Sequence, residues 1–309
     1  MIVPRFLAPT VSMSLSSMPR FLLALIGTLA MVVAAGPAEA QSASQPFRVM
    51  TFNIRYNNPR DSLDAWPNRA EGVARLIGFH DPDLLGLQEA QRNQIDDLQR
   101  RLPGYAWFGL PRNDGGPGDE HSTIFYRTER FDLLDQGTFW LSQTPEVRAS
   151  RGWDAALPRI ATWGRFRDRA TGDIILHVNT HFDHVGVTAR AESARLLKRW
   201  IAENARGLPV FLTGDFNADP ASEPIQVLLA PEPAPRLQDG RAASAEPSYG
   251  PNSTWNAFKA IEPNRRIDFI FVGNGARVLE HAVLTETLDN GRFPSDHLPV
   301  IAEVLSGRR

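Results

Sequence analysis

The sequence predicts a mixed α/β sandwich, and three observations predict it. Short apolar runs with strand-like alternation recur along most of the chain. Amphipathic stretches with helical spacing fall between some of them, while other stretches hold strands only. Residues able to do chemistry cluster where several runs begin or stop. Helices interleaved with strands, beside strand-only stretches, indicate sheets packed in layers.

The strand signals fall at residues 47–54, 83–89, 122–126, 131–141, 160–167, 173–181, 209–214, 266–272 and 298–304. Helical patterns occupy 66–79 and 92–101, on either side of the second strand. The clearest helix spans 189–204, with Ala194, Leu197, Trp200 and Ile201 on one side and charges on the other. Residues 111–118 are rich in Gly and Pro and read as a loop. Residues 231–253, rich in Pro, Ala, Ser and Gly, form either a flap beside the site or a surface insertion.

The first 40 residues read as a signal peptide. Arg20 precedes an apolar stretch from Phe21 to Ala35, and Ala38-Glu39-Ala40 offers a small-residue cleavage site before Gln41. Fifteen apolar residues fall short of the ~20 that a membrane span needs. Residues 41–309 then form one catalytic domain of an exported bacterial protein, periplasmic or secreted, with no stable membrane insertion. There is no cysteine, hence no disulfide and no lipidated Cys. Without its leader the chain has 31 basic and 34 acidic residues, a formal charge of −3. That balance disfavours binding of duplex nucleic acid.

Strand alternation places residues i and i+2 on one face. Thr51 and Asn53 therefore share a face, as do Asp215 and Asn217, with Phe52 and Phe216 turned to packing. Leu85 and Leu87 bring Glu89 to the end of a buried strand. Asp268 and the Asp296-His297 pair come at strand starts, which antiparallel pairing would carry to the same edge. One polar rim then gathers the carboxylates Glu89, Asp215, Asp268 and Asp296, the amides Asn53, Asn179 and Asn217, and the imidazoles His181 and His297. Hard oxygen donors suit Mg²⁺ or Mn²⁺, and a phosphodiester is the natural substrate. Asp183 and His184 either touch substrate or shape the loop after His181. Arg159 either reaches a phosphate or forms a salt bridge. No G-x-S-x-G elbow and no P-loop is present.

Taken together, Met50-Thr51-Phe52-Asn53, Leu87-Gln88-Glu89, Asn179-Thr180-His181, Gly214-Asp215-Phe216-Asn217, Arg266-Ile267-Asp268-Phe269 and Ser295-Asp296-His297-Leu298 resemble the endonuclease/exonuclease/phosphatase superfamily of DNase I-like enzymes. Phe139-Trp140-Leu141-Ser142, Gly152-Trp153-Asp154 and Arg159-Ile160-Ala161-Thr162-Trp163 look like a small secreted bacterial branch near the nocturnin-like proteins. The resemblance implies a four-layer αββα fold of two mixed β-sheets flanked by helices, with the site on one sheet edge. It implies that Glu89 is the principal metal ligand with Asn53 beside it, and that Asp215 and Asn217 orient water and phosphate. His181 and His297 become phosphate contacts, with Asp268 or Asp296 supporting His297. Arg159, Asn179, Asp183 and His184 remain candidates for substrate binding. Abasic-site endonucleases carry an acid two residues after the first Asn, where this chain has Arg55; that argues against a second metal contribution there. The expected activity is Mg²⁺- or Mn²⁺-dependent hydrolysis of a phosphate mono- or diester by a monomer. Candidate substrates are a soluble small molecule, a lipid head group, a nucleotide or a nucleic acid, and a non-catalytic binding module is the alternative.

Overall fold

A computed structural model describes residues 45–116 and 118–307. The signal peptide expected from the sequence, residues 1–40, lies outside the described residues. The strands are β1 (Phe47–Asn53), β2 (Leu84–Gln88), β3 (Ala90–Gln91), β4 (Tyr105–Phe108), β5 (Glu120–His121), β6 (Ile124–Arg127), β7 (Phe131–Trp140), β8 (Ile160–Asp168), β9 (Ile174–His181), β10 (Val210–Asp215), β11 (Gln238–Asp239), β12 (Asp268–Gly273), β13 (Arg277–Val283) and β14 (Val300–Leu305). The helices are α1 (Trp66–His80), α2 (Arg92–Arg101), α3 (Val187–Ala205), α4 (Glu223–Leu229) and the single turn α5 (Gly240–Ala243).

Two six-stranded sheets form, ordered β13-β14-β1-β2-β6-β4 and β11-β12-β10-β9-β8-β7. Their inner faces meet in an apolar layer that includes Phe47, Val49, Phe131, Phe166, Phe211 and Val272. On the outside, α1 and α2 cover the first sheet through Trp66, Val73, Ile77, Ile95 and Leu98, against Met50, Phe52, Leu85 and Leu87. Helices α3 and α4 cover the second through Leu197, Ile201, Ile225 and Leu228, against Leu176, Val178, Leu212 and Phe271. The layers are therefore αββα, as expected. Both sheets bury both faces, so their central strands read as nearly continuous apolar runs. Among the described residues, no helix is long and apolar enough to cross a membrane.

Strand direction puts the chemistry on one edge. β1 runs parallel to β2, and β9 parallel to β10. β14 runs antiparallel to β1, and β12 antiparallel to β10, with Asp215 paired directly to Asp268. The ends of β1, β2, β9 and β10 thus meet the starts of β12 and β14.

Several boundaries and elements differ from the sequence reading. β12 starts at Asp268 because Arg266 leaves the ladder to form a bidentate pair with Asp239, at 3.0 and 2.6 Å. β14 starts at Val300 because Pro299 has no N–H to give a ladder; Leu298 N donates instead to Thr254 O. β4, β13 and α4 went unread. The 231–253 segment is an insertion strapped to the sheet: β11 pairs with β12, and residues 244 and 249 bridge to β13. None of its residues lines the cleft described next, so here it is a surface insertion.

Candidate active site

Behind the edge, a buried polar seam joins the two sheets. Asn179 Nδ2 donates to the carbonyls of Leu87 and Thr123, at 2.9 and 3.0 Å. Its Oδ1 accepts from Gln88 Nε2 at 2.7 Å and Thr213 Oγ1 at 3.1 Å. With every donor and acceptor used and no exposure, Asn179 is a fastener between sheets and not a substrate-binding residue. Gly86 is required alongside it, because a Cβ there would lie 2.4 Å from Asn179 Oδ1 and Thr213 Oγ1. His177 stands four residues before His181, a spacing that on a helix would pair metal ligands. On β9 it is instead fully buried against Thr213, at 2.9 Å, and burial pushes its imidazole down to about 3.

The site itself is a cleft of about 400 Å³ whose walls include Glu89, His181, Asp215, Asn217, Asp296 and His297. His297 is the centre of its floor. Its Nδ1 lies 2.9 Å from Asp268 Oδ2, and its Nε2 lies 3.7 Å from Asp215 Oδ2. Only 2% of His297 is exposed, so it is a floor residue and not a rim one. Burial opposes its charge, but Asp268 and then Asp215 override burial and raise it to about 10. Asp268, not Asp296, is the carboxylate that orients this imidazole. The indole of Trp255 stands edge-on to the ring, 4.7 Å away at 86°.

Asp215 is driven upward, to about 7, by burial and then by Asp268. It accepts from Asn53 Nδ2 at 2.9 Å and from Asn217 N at 2.9 Å. His181 Nε2 lies 3.3 Å from Asp215 and 3.0 Å from Asn217 Nδ2. Burial first, then Arg159 and Arg112, hold His181 well below its ordinary value. The two imidazoles therefore differ in charge at neutral pH: His297 is a cation and His181 is neutral.

Glu89 and Asp296 share the opposite wall. Glu89 accepts from Asn53 Nδ2 at 3.1 Å and Tyr56 N at 3.1 Å. Burial above all, with Glu89 adding to it, raises Asp296 to about 6. Arg55, where an acid was absent from the sequence pattern, bonds Asp61 at 3.0 Å and faces Asp296 at 3.8 Å. Asn53 sits between Glu89 and Asp215 as a donor to both, with its Oδ1 taken by Arg55 N at 3.0 Å. It bridges the carboxylates through Nδ2, and its Oδ1 already accepts one hydrogen bond, which leaves one lone pair. Glu89, Arg55 and Asn217 all adopt left-handed backbone (φ 60°, 54° and 46°). Such strain in residues with side chains is typical of functional edges. Buried Arg69 braces these turns by donating to the carbonyls of Ile54, Asp64, Arg55 and Pro294.

The acidic wall fits a hard divalent ion, since two facing carboxylates that repel each other are neutralised by one. Asp215, Asp268 and His297 also place one possible ligand atom each within 4.8 Å of one another. In that trio Asp268 Oδ2 is taken up by His297 Nδ1, while Asp268 Oδ1 is buried with no hydrogen-bond partner among the described residues. Glu89 with Asp296 is the better-suited pair.

At the far end, Asp183 accepts the N–H groups of Ala156, Leu157, Val185 and Gly186 and pairs with Arg159 Nε at 3.3 Å. It is 1% exposed, so it shapes two loops and fixes Arg159 and does not face substrate. Those amides and Arg159 offset burial and hold its carboxyl near 2. Arg159 and exposed His184 do line the cleft. Arg159 Nη2 lies 2.9 Å from His184 Nδ1; arginine cannot accept, so Nδ1 is unprotonated and Nε2 carries the hydrogen. Five cleft residues had no signal in the sequence: Tyr56, Arg112, Glu120, Leu157 and Trp255. Arg112 and Glu120 form a bidentate pair, 2.8 Å on both arms.

The family model for the Endonuclease/Exonuclease/phosphatase family matches residues 50–297. This chain belongs to that family. Its enzymes are phosphoester hydrolases and generally depend on a divalent metal. An endonuclease/exonuclease/phosphatase from Bacteroides vulgatus has 39% identity and a TM-score of 0.79, covering 84% of this chain and 98% of that one. A Bacteroides thetaiotaomicron mannosyl-6-phosphatase has 39% identity and a TM-score of 0.78, covering 84% and 99%. Nocturnin from Drosophila melanogaster is 23% identical over 284 residues, which is 79% of this chain and 42% of that protein. A probable RNA exonuclease of Schizosaccharomyces pombe is 22% identical over 199 residues, covering 60% of this chain and 39% of that protein.

Proposed function

We propose that the protein hydrolyses a phosphate ester of a soluble small molecule, a mono- or diester, with Mg²⁺ or Mn²⁺ and by attack of water. The observation that carries this reading is the cationic His297 beside the proton-accepting Asp215, on a floor that Asp268 holds from below. Asn217 would position Asp215 through its backbone N–H, its side-chain Nδ2 being held by neutral His181 and the Phe182 carbonyl. Asp215 would take the proton of the attacking water as its O–P bond forms and the ester P–O bond breaks, the leaving oxygen departing as the anion or taking a proton from solvent. The His297 Nε2–H would stabilise the negative charge that grows on the phosphoryl oxygens. Glu89 and Asp296 would hold the metal. When bound, the ion supplies neutralisation of the phosphoryl and leaving oxygens. Export as a periplasmic or secreted monomer, in the small bacterial branch suggested by the sequence, is part of the same proposal.

The test is release of p-nitrophenol from p-nitrophenyl phosphate and from bis(p-nitrophenyl) phosphate. Activity on at least one ester, lost in EDTA, restored by Mg²⁺ and abolished in Asp215→Asn, supports the reading. Full activity in metal-stripped protein, or none from a folded Mg²⁺-loaded sample across a panel of phosphate esters, overturns it.

A further inference from the structure

The relatives span a sugar phosphatase and a probable RNA exonuclease, so the choice between monoester and diester falls to the shape and charge of the cleft. Its far wall is built in a particular way. Arg159 is only 3% exposed, yet it lines the cleft. Nε and Nη2 are engaged, by Asp183 and His184, while Nη1 has no hydrogen-bond partner among the described residues. Four backbone amides hold Asp183, so the guanidinium is fixed before any ligand arrives. Arg112 stands on the same wall, locked to Glu120, with its buried Nε also unpartnered. Behind these residues and His181 the space is about 10 Å³, at most the room of a single water. An ester substituent pointing this way would meet two fixed guanidinium groups and no volume.

We infer that Arg159 and Arg112 form a closed cationic wall that receives an unesterified phosphate oxygen and so makes the enzyme selective for phosphate monoesters over diesters. This inference rests on the phosphoesterase reading. A terminal phosphate turns a full oxyanion to the wall, whereas a diester has one fewer free oxygen and a second substituent to place. Guanidinium-to-phosphate bonds are directional and charge-assisted, which makes Arg→Lys an informative change at this wall. The ester group of the substrate would then face the rest of the cleft, whose lining includes Trp255 and Tyr56.

The experiment uses the Mg²⁺-loaded protein and two measurements. The first is kcat/KM on p-nitrophenyl phosphate against bis(p-nitrophenyl) phosphate. The second is calorimetric binding of inorganic phosphate against dimethyl phosphate. The wild type should favour the monoester by at least ~100-fold and bind phosphate but not dimethyl phosphate. Arg159→Met should weaken phosphate binding and raise the monoester KM by about 10- to 100-fold, the worth of one bond between charged groups. Arg159→Lys should fall between, and diester kcat/KM should fall by a smaller factor than monoester kcat/KM, so that selectivity shrinks. If Arg159→Met fails to fold, Arg159→Lys and Arg112→Lys are read in its place. Equal wild-type efficiency on both esters overturns the inference, as does unchanged phosphate affinity in the folded variants. If neither ester turns over, the phosphoesterase reading fails, and calorimetry still judges the wall. Phosphate binding without dimethyl phosphate binding then keeps it, and equal binding or none removes it.

Discussion

Replacing Asp268 with Asn changes one atom in the floor of the cleft and should discharge His297. The two side chains are 2.9 Å apart, and each is at most 2% exposed. Burial alone would drive the imidazole neutral, and the Asp268 carboxylate opposes that more strongly than any other neighbour. Its folded value, about 10, lies above the ordinary 6.5, and each pH unit between is worth ~1.36 kcal/mol, so the charged floor carries at most about 5 kcal/mol. A raised histidine stabilises fully below pH 6.5 and loses that contribution as pH rises through about 10. The wild type should therefore lose stability between pH 6.5 and 10 more steeply than Asp268→Asn. Activity should fall by about 10²–10³, the usual effect of losing one donor to a transition-state oxyanion. The alkaline limb of the kcat/KM profile should move from near 10 toward neutrality. The assay is that profile from pH 5 to 10.5 with thermal melts on the same samples. A folded Asp268→Asn enzyme with wild-type turnover and an unmoved alkaline limb would refute the assignment of His297 as a cationic donor.

Three further outcomes are expected. Glu89→Gln should weaken Mg²⁺ binding, read by calorimetry, and excess Mg²⁺ should partly restore its activity, whereas no Mg²⁺ concentration should rescue His297→Ala. Asn179→Leu should cost about 2–5 kcal/mol in denaturant unfolding, because it strips partners from Gln88, Thr213 and two buried carbonyls; the folded fraction should keep kcat/KM within about threefold. Intact-mass measurement of protein from its native host should give an N-terminus at or near Gln41, and a mass retaining residues 1–40 would remove the leader from the account.

Strand alternation and the placement of polar residues at strand ends determined much of this protein from sequence alone. Asn53, Glu89, His181, Asp215, Asp268 and His297 could be assigned to one edge because a strand's period and direction are local properties. The mixed α/β sandwich followed from helical patterns interleaved with strand runs, and the αββα layering from the resemblance to the endonuclease/exonuclease/phosphatase superfamily. Tertiary structure decided what depends on distance between residues far apart in the chain. Asp268 and Asp296 are equivalent as letters, and only the Asp215–Asp268 register brings the first beneath His297. Asn179 reads as a site residue because it neighbours His181, yet the first sheet lies directly over it, and Gln88, Leu87 and Thr123 from that side with Thr213 from its own sheet take up its bonds. Arg112 and Glu120 come from a Gly- and Pro-rich loop and a two-residue strand, neither with a period to read. Their charge matters only because the fold sets them beside Arg159, where burial makes a surface type of residue into a fixed wall.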